Sequence, residues 1–199
     1  LHPRVRRQRQ MCIRDRYNAK HEIKCCRFAH NAYQKLFLKI YTELISMIKV
    51  GILGATGYAG IEVVRLLTAH PEAEIVRVVS QSFVGQKISD VYQNLKGICD
   101  LCCTALDIDD IAGSCDLVFT ALPHGASKTV IPSLYEKGLK IVDLSGDFRY
   151  NDPVVYEKWY GEPHSAPEVL KESVYGLCEI HRDEIKTHRL IGNPGCYTT

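Results

Sequence analysis

The chain has 199 residues, 46% of them hydrophobic and 24% charged, with a formal net charge of +2. That composition suits a globular protein of one or two domains, and no apolar run reaches the roughly 18 residues of a membrane span. Residues 1–46 carry 11 of the 25 Lys/Arg and 3 of the 23 Asp/Glu, a net +8, so residues 47–199 sum to −6 and offer no electrostatic ground for nucleic-acid binding.

Residues 1–16 hold six arginines and no hydrophobic period. Further on, Leu36, Ile40, Leu44 and Ile45 could share one helical face. An organelle transit peptide would be rich in serine, but Ser46 is the only serine in this stretch. A basic nucleic-acid or membrane arm is a second reading. The third is that the segment is not native: Met11–Arg16 (MCIRDR) back-translates to a sequence resembling the end of a sequencing-library transposon. On that third reading residues 1–46 are a non-native or disordered basic extension, and the native start is expected at Met47.

From Met47 a nucleotide-binding pattern begins. Met47–Leu53 is a short apolar run, as a buried parallel strand requires. Gly54-Ala55-Thr56-Gly57-Tyr58-Ala59-Gly60 follows, then a helical pattern through Ile61, Val64 and Leu67 that His70-Pro71 ends. Ile75–Val79 reads as the next strand. A strand, a glycine loop, a helix and a strand within about 30 residues make the βαβ unit of a dinucleotide fold. The glycines (51, 54, 57 and 60) stand as G-x-x-G-x-x-G. Their physical purpose would be close approach of a pyrophosphate to the backbone at a helix amino terminus. A tight turn with no ligand is the plainer alternative.

Ser80-Gln81-Ser82 follows the second strand, where an NAD site usually carries a carboxylate for the ribose 2′-hydroxyl. Hydroxyl and amide groups can instead donate to a 2′-phosphate, so the sequence leans to NADP(H). The serines could equally turn the loop. Asp116–Leu122 is a third strand, entering Pro123-His124-Gly125. Ser127–Lys137 is helical, with Val130, Ile131, Leu134 and Tyr135 as its apolar face and Gly138 as its stop. Lys140–Leu144 is a fourth strand, opening into Ser145-Gly146-Asp147-Phe148-Arg149. Ligands of open α/β sheets sit at the carboxyl ends of strands, which puts Pro123-His124 and residues 145–149 at the mouth of a site. Residues 150–190, with Trp159 and several Tyr and Pro, read as a packed loop region with short helices. The fold class expected is a Rossmann-type α/β parallel sheet over 47–192, with 193–199 as the start of a second, α+β substrate domain.

Nine cysteines, an odd count without evenly spaced pairs, read as reduced thiols of a cytoplasmic protein. Cys99, Cys102 and Cys103 give one C-x-x-C without a partner pair, so no metal site is expected. Cys196 follows Asn193-Pro194-Gly195. A helix opening behind it would favour the reactive thiolate, and a thiolate can attack an activated acyl group to give a thioester. From spacing alone, a small buried apolar cysteine explains the residue as well or better.

GATGYAG (54–60), ALPHGAS (121–127), DLSGDFR (143–149), YGLCE (175–179) and GNPGCYTT (192–199), in that order, resemble segments of N-acetyl-gamma-glutamyl-phosphate reductases across essentially all of residues 47–199. The resemblance implies an NADPH-dependent reduction of an acyl phosphate to an aldehyde in arginine biosynthesis, with Cys196 as nucleophile. It places Gly54, Thr56, Gly57 and Tyr58 at the pyrophosphate, Ser80, Gln81 and Ser82 at the 2′-phosphate, and Leu122, Pro123 and His124 toward the nicotinamide ribose. Ser145 and Arg149 resemble phosphate-holding positions of the related aspartate-semialdehyde dehydrogenases; an ordinary salt bridge is the alternative for Arg149. Thr198 stands where the family motif has proline. Family members are about twice as long as residues 47–199. The resemblance therefore places the acid–base histidine and the substrate domain downstream, and implies a homo-oligomer at full length with a small acyl-phosphate substrate and neither membrane nor nucleic-acid partner. On this reading the chain as it stands binds cofactor poorly and is inactive. The rivals are an aspartyl or aminoadipyl semialdehyde reductase and a non-catalytic NADP-binding protein.

Overall fold

The structure, a computed structural model, describes residues 47–197. The helical face at Leu36–Ile45, the three readings of the basic extension and any helix behind Tyr197 lie outside the described residues.

Each apolar run in the first hundred described residues becomes a buried strand or a helix lying on one. Strand β1 is Ile48–Leu53, helix α1 is Tyr58–Leu67 and β2 is Ala73–Val79. A one-turn helix α2, Ile88–Val91, and a 3₁₀ turn at Gln93–Leu95 follow. Helix α3, Ile108–Ser114, leads to β3, Leu117–Thr120. Helix α4, Ser127–Glu136, leads to β4, Lys140–Asp143. The chain then forms α5 (Pro153–Tyr160), α6 (Pro167–Lys171), β5 (Ser173–Tyr175), α7 (Cys178–Thr187) and β6 (Leu190–Gly192).

The six strands form one sheet in the order β2-β1-β3-β4-β6-β5. Every pair is parallel. A parallel pair needs a crossover, and the helices supply it, so both faces of the sheet are covered. On one face Val50, Ile52 and Val78 pack with Val63 and Val64 of α1 and with Ile88. On the other, Leu53, Val118 and Ile141 pack with Ile111 of α3 and Ile131 and Leu134 of α4. Strand order reverses at β1, with β2 on one side and β3 on the other. A crevice opens at such a switch point, beyond the carboxyl ends of the strands.

The Rossmann-type parallel sheet is thus as expected, with differences at particular elements. The β3 strand is shorter than Asp116–Leu122, because Ala121 N makes its last rung to Leu53 O at 2.8 Å before Pro123 turns the chain away. Within residues 150–190, α5, α6 and α7 are short helices, α7 kinked at His181, and β5 adds a strand to the sheet. Helix α4 continues through Pro132. Proline cannot donate to the carbonyl four residues back, and the Ser165 hydroxyl takes that place on Lys128 O at 3.2 Å.

Candidate functional site

The turn after β1 is built by glycine. Gly54 adopts φ +75°, and a Cβ there would lie 2.3 Å from Ala121 O on the next strand's loop. At Gly60 a Cβ would lie 2.1 Å from Gly54 O, so helix and turn touch backbone to backbone. Gly54 N and Ala55 N both donate to Val79 O at 3.0 Å, and Gly57 N donates to Gly54 O at 3.0 Å. The first helical bond of α1 is Ile61 N to Gly57 O at 2.9 Å, which leaves the amides of Tyr58, Ala59 and Gly60 ahead of the ladder. Free amides and the positive end of the helix make an anion cradle. The Tyr58 side chain is 96% exposed, so its place in this cradle comes from its main chain.

A cleft of about 510 Å³ opens beside the cradle. Its walls include Gly54, Thr56 and Gly57 from the turn, Ser80, Gln81 and Ser82 from the end of β2, and Leu122 and Pro123 from the end of β3. No carboxylate stands among its lining residues. Ser80 is buried, with Oγ 2.7 Å from Thr56 Oγ1, so this pair stitches the two loops together. Gln81 and Ser82 are exposed. The sequence treats these three polar residues alike; the structure divides them into one stitch and two accessible donors. The volume, the amide cradle and the polar rim fit a dinucleotide.

Beyond Pro123 lies His124. Its Nδ1 is 2.7 Å from Asp147 Oδ1, and its ring stacks on Tyr160 with centroids 4.5 Å apart. Asp147 is fully buried and accepts from Gly125 N at 2.9 Å and from Lys128 N at 3.2 Å, in the first turn of α4. Asp143, also fully buried, accepts from Thr120 Oγ1 at 2.7 Å, Ser145 Oγ at 2.6 Å and Ser145 N at 3.2 Å. Ser145 Oγ in turn accepts from Asp147 N at 3.1 Å. Two buried carboxylates are thereby satisfied by hydroxyls and amides, as burial demands. The Ser145 hydroxyl, expected near a phosphate, is committed at both its donor and acceptor sides within the protein.

Arg149 sits between two loops. Its Nε donates to Asn193 O at 3.0 Å and its Nη2 to Ser145 O at 3.1 Å. Asn193 N donates to Asp143 O at 2.8 Å. The peptide that leads to Cys196 is therefore tied to the carboxyl ends of the strands, and Cys196 itself is exposed. Arg149 also lines a second cleft, of about 460 Å³, with Tyr160, Tyr175 and His181. Burial raises the Tyr160 phenol above its ordinary range, and Arg149 opposes that rise.

A family model described as the semialdehyde dehydrogenase NAD-binding domain matches residues 49–188. The chain belongs to the semialdehyde dehydrogenase family. Among curated proteins it is 60% identical over 153 residues to the N-acetyl-gamma-glutamyl-phosphate reductase of Acetivibrio thermocellus, covering 77% of this chain and 44% of that one. The enzymes of the same name from Syntrophobacter fumaroxidans and Pseudomonas syringae are 53% and 49% identical, again over 77% of this chain and 44% of theirs. The chain spans less than half the length of these relatives. Among solved structures, aspartate semialdehyde dehydrogenase II from Vibrio cholerae superposes with a TM-score of 0.54 at 16% identity, covering 77% of this chain and 43% of that one. The Francisella tularensis aspartate semialdehyde dehydrogenase gives 0.51 at 18%, covering 76% and 37%. Likeness at that identity concerns the fold.

In this semialdehyde dehydrogenase NAD-binding domain, the residues that sequence reasoning missed are Thr120, Asp143, Asp147 and Tyr160. The two aspartates stand in the DLSGDFR motif, but nothing in a string of residues says that a carboxylate will be buried beneath a histidine. Burial pushes the thiols of Cys99, Cys103 and Cys115 up, as for inert core cysteines. Among the described residues no group of three or more His, Cys, Asp or Glu could hold a metal ion, and no helix is long and apolar enough to cross a membrane.

Proposed function

We propose that this chain is the cofactor-binding half, together with the nucleophile, of a cytoplasmic NADP-dependent reductase. Its reaction converts N-acetyl-glutamyl 5-phosphate to N-acetyl-glutamate 5-semialdehyde and phosphate. The observation that carries the reading is one shared edge: the amide cradle, the His124 loop and the strapped peptide before Cys196 all stand at the carboxyl ends of the strands. The names of the relatives, at 46–60% identity, support the substrate.

The free amides of α1 hold the pyrophosphate, and Gln81 and Ser82 donate to the 2′-phosphate where a carboxylate would repel it. Leu122 and Pro123 wall the cleft beside the nicotinamide ribose. The Cys196 sulfur attacks the acyl carbon, forming a C–S bond as the C–O bond to phosphate breaks, and the thioester waits on the enzyme. Arg149 holds the Cys196 peptide and turns its remaining guanidinium N–H groups to the departing phosphate. When bound, the reduced cofactor supplies the hydride that makes the aldehyde and returns the thiol.

The test is Cys196→Ser in a full-length protein carrying this sequence. NADPH oxidation with the acyl phosphate should fall by about a thousandfold or more, on the scale of losing a covalent nucleophile. Undiminished turnover would remove Cys196 from the mechanism. Calorimetric titration of the same full-length protein with NADP⁺ and NAD⁺ tests the cofactor half separately.

A further inference from the structure

The two ring nitrogens of His124 stand in unlike settings. Nδ1 lies 2.7 Å from Asp147 Oδ1, an ion-pair distance. Nε2 has no hydrogen bond among the described residues, and the side chain is 44% exposed. Asp147 is fixed from several directions: Gly125 N donates to both its oxygens at 2.9 Å, Lys128 N donates to Oδ2, and Ser145 Oγ holds its amide. The Tyr160 ring stacks on one face of the imidazole, with centroids 4.5 Å apart. Gly146 makes that stack possible, since a Cβ there would lie 2.5 Å from Tyr160 Oη and 3.3 Å from His124 Nδ1. Lys128 and Glu162, paired with each other, and Arg149, beside Tyr160, are the other charged groups near the ring.

A carboxylate can only accept, so the nitrogen that faces it carries the proton and the other is left with its lone pair. We propose that Asp147 is a positioning residue: it fixes the Nδ1–H tautomer of His124 and leaves Nε2 to accept from a ribose hydroxyl of a dinucleotide in the adjoining cleft. His124 directly follows Leu122 and Pro123, which wall that cleft. The ligand half of this assignment rests on the cofactor reading above; the tautomer half stands without it.

Long-range ¹H–¹⁵N correlation spectra of the chain, with His124→Phe identifying the signal, read the tautomer directly. At pH 8, where an imidazole is ordinarily uncharged, Nδ1 should carry the proton; an Nε2–H form overturns the proposal. Asp147→Asn keeps one oxygen for the Gly125 and Lys128 amides and turns an amide donor on Nδ1, so the tautomer should invert. A folded variant with an unchanged tautomer also overturns it, and if the variant does not fold the wild-type spectrum decides.

In calorimetric titrations of a full-length protein carrying this sequence with NADP⁺, His124→Phe and Asp147→Asn should each weaken binding about tenfold, the scale of one polar hydrogen bond. The double variant should lose no more, because the carboxylate acts through the ring; additive losses would make Asp147 merely structural. The 3-acetylpyridine analogue of NADP⁺ lacks the carboxamide donor but keeps the ribose, and should show the same dependence on His124. Loss of that dependence removes the ribose hydroxyl as donor. A full-length protein carrying this sequence that binds no NADP⁺ defeats the cofactor reading, while the spectra still judge the tautomer.

Discussion

The serine and threonine hydroxyls of the cleft divide into those the fold consumes and those it leaves to a ligand. Ser80 and Thr56 are bonded to each other, whereas Gln81 and Ser82 are exposed. Cofactor choice should therefore respond at the exposed pair. Ser82→Asp places a negative charge where a 2′-phosphate would sit without disturbing a buried contact. NADPH affinity should fall about tenfold relative to NADH, a moderate charge–charge penalty at a partly solvated site; fluorescence titration with both cofactors measures the ratio, and an unchanged preference would remove this loop from 2′-phosphate recognition. At His164 the relevant quantity is stability. It is buried, with Nδ1 accepting from Ala166 N at 3.0 Å, and burial holds its imidazole below the usual range while Asp147 opposes. The unfolded chain then takes up a proton first as pH drops below about 6.5, so stability present above that pH is lost as acidification proceeds through the depressed folded value. His164→Phe should flatten the pH dependence of urea midpoints below about pH 6.5, although it also removes the Ala166 acceptor and lowers stability overall.

Among the elements, α3 shows how a short helix is started. Asp107 accepts from Asp109 N and Asp110 N at 3.0 Å each, and two more carboxylates lie in the first turn, toward the positive end of the helix. Asp107→Ala should cost about 1 kcal/mol in urea denaturation, the usual worth of such a cap; a change below about 0.3 kcal/mol would mean that tertiary packing alone carries α3. The start of α4 is capped differently, by Asp147 from a distant loop. The first of these caps is local and readable in principle, as an aspartate ahead of an apolar period. The second is a product of tertiary placement. The same distinction explains which elements were legible in the sequence. The β1–α1–β2 unit declared itself because long apolar runs and a glycine turn occur together. In contrast, β5 and β6 have three residues each, too few to establish a period. Helix α7 buries no residue and so carries no apolar stripe to read. The cofactor-side residues were legible as motifs, but the Asp143–Ser145–Asp147 chain was not, because its meaning depends on what lies above it.

On the scale of the whole molecule, the two packed faces of the sheet differ in their reach. The face containing Leu53, Val118, Leu134 and Ile141 extends to Phe148, Tyr156 and Leu190, beneath the loops that carry His124 and Arg149. Leu134 is completely buried there. Leu134→Ala should lower stability by about 2–5 kcal/mol through lost burial and the cavity left behind, measured by urea denaturation. A loss below about 1 kcal/mol would show that this face repacks freely.

The sheet order also dictates a sequence of assembly. Strand β6 lies between β4 and β5 and is, among the described residues, the only sheet neighbour of β5, although β5 is made first. On a ribosome, the strands from β1 to β4 can close as soon as they emerge, while Ser173–Tyr175 waits with its edge unpaired until Leu190–Gly192 arrives. An unpaired edge invites foreign strands. A released chain ending at residue 188 should therefore show protected amides in β1, β3 and β4 and free exchange in β5, and chaperones should bind it at that edge.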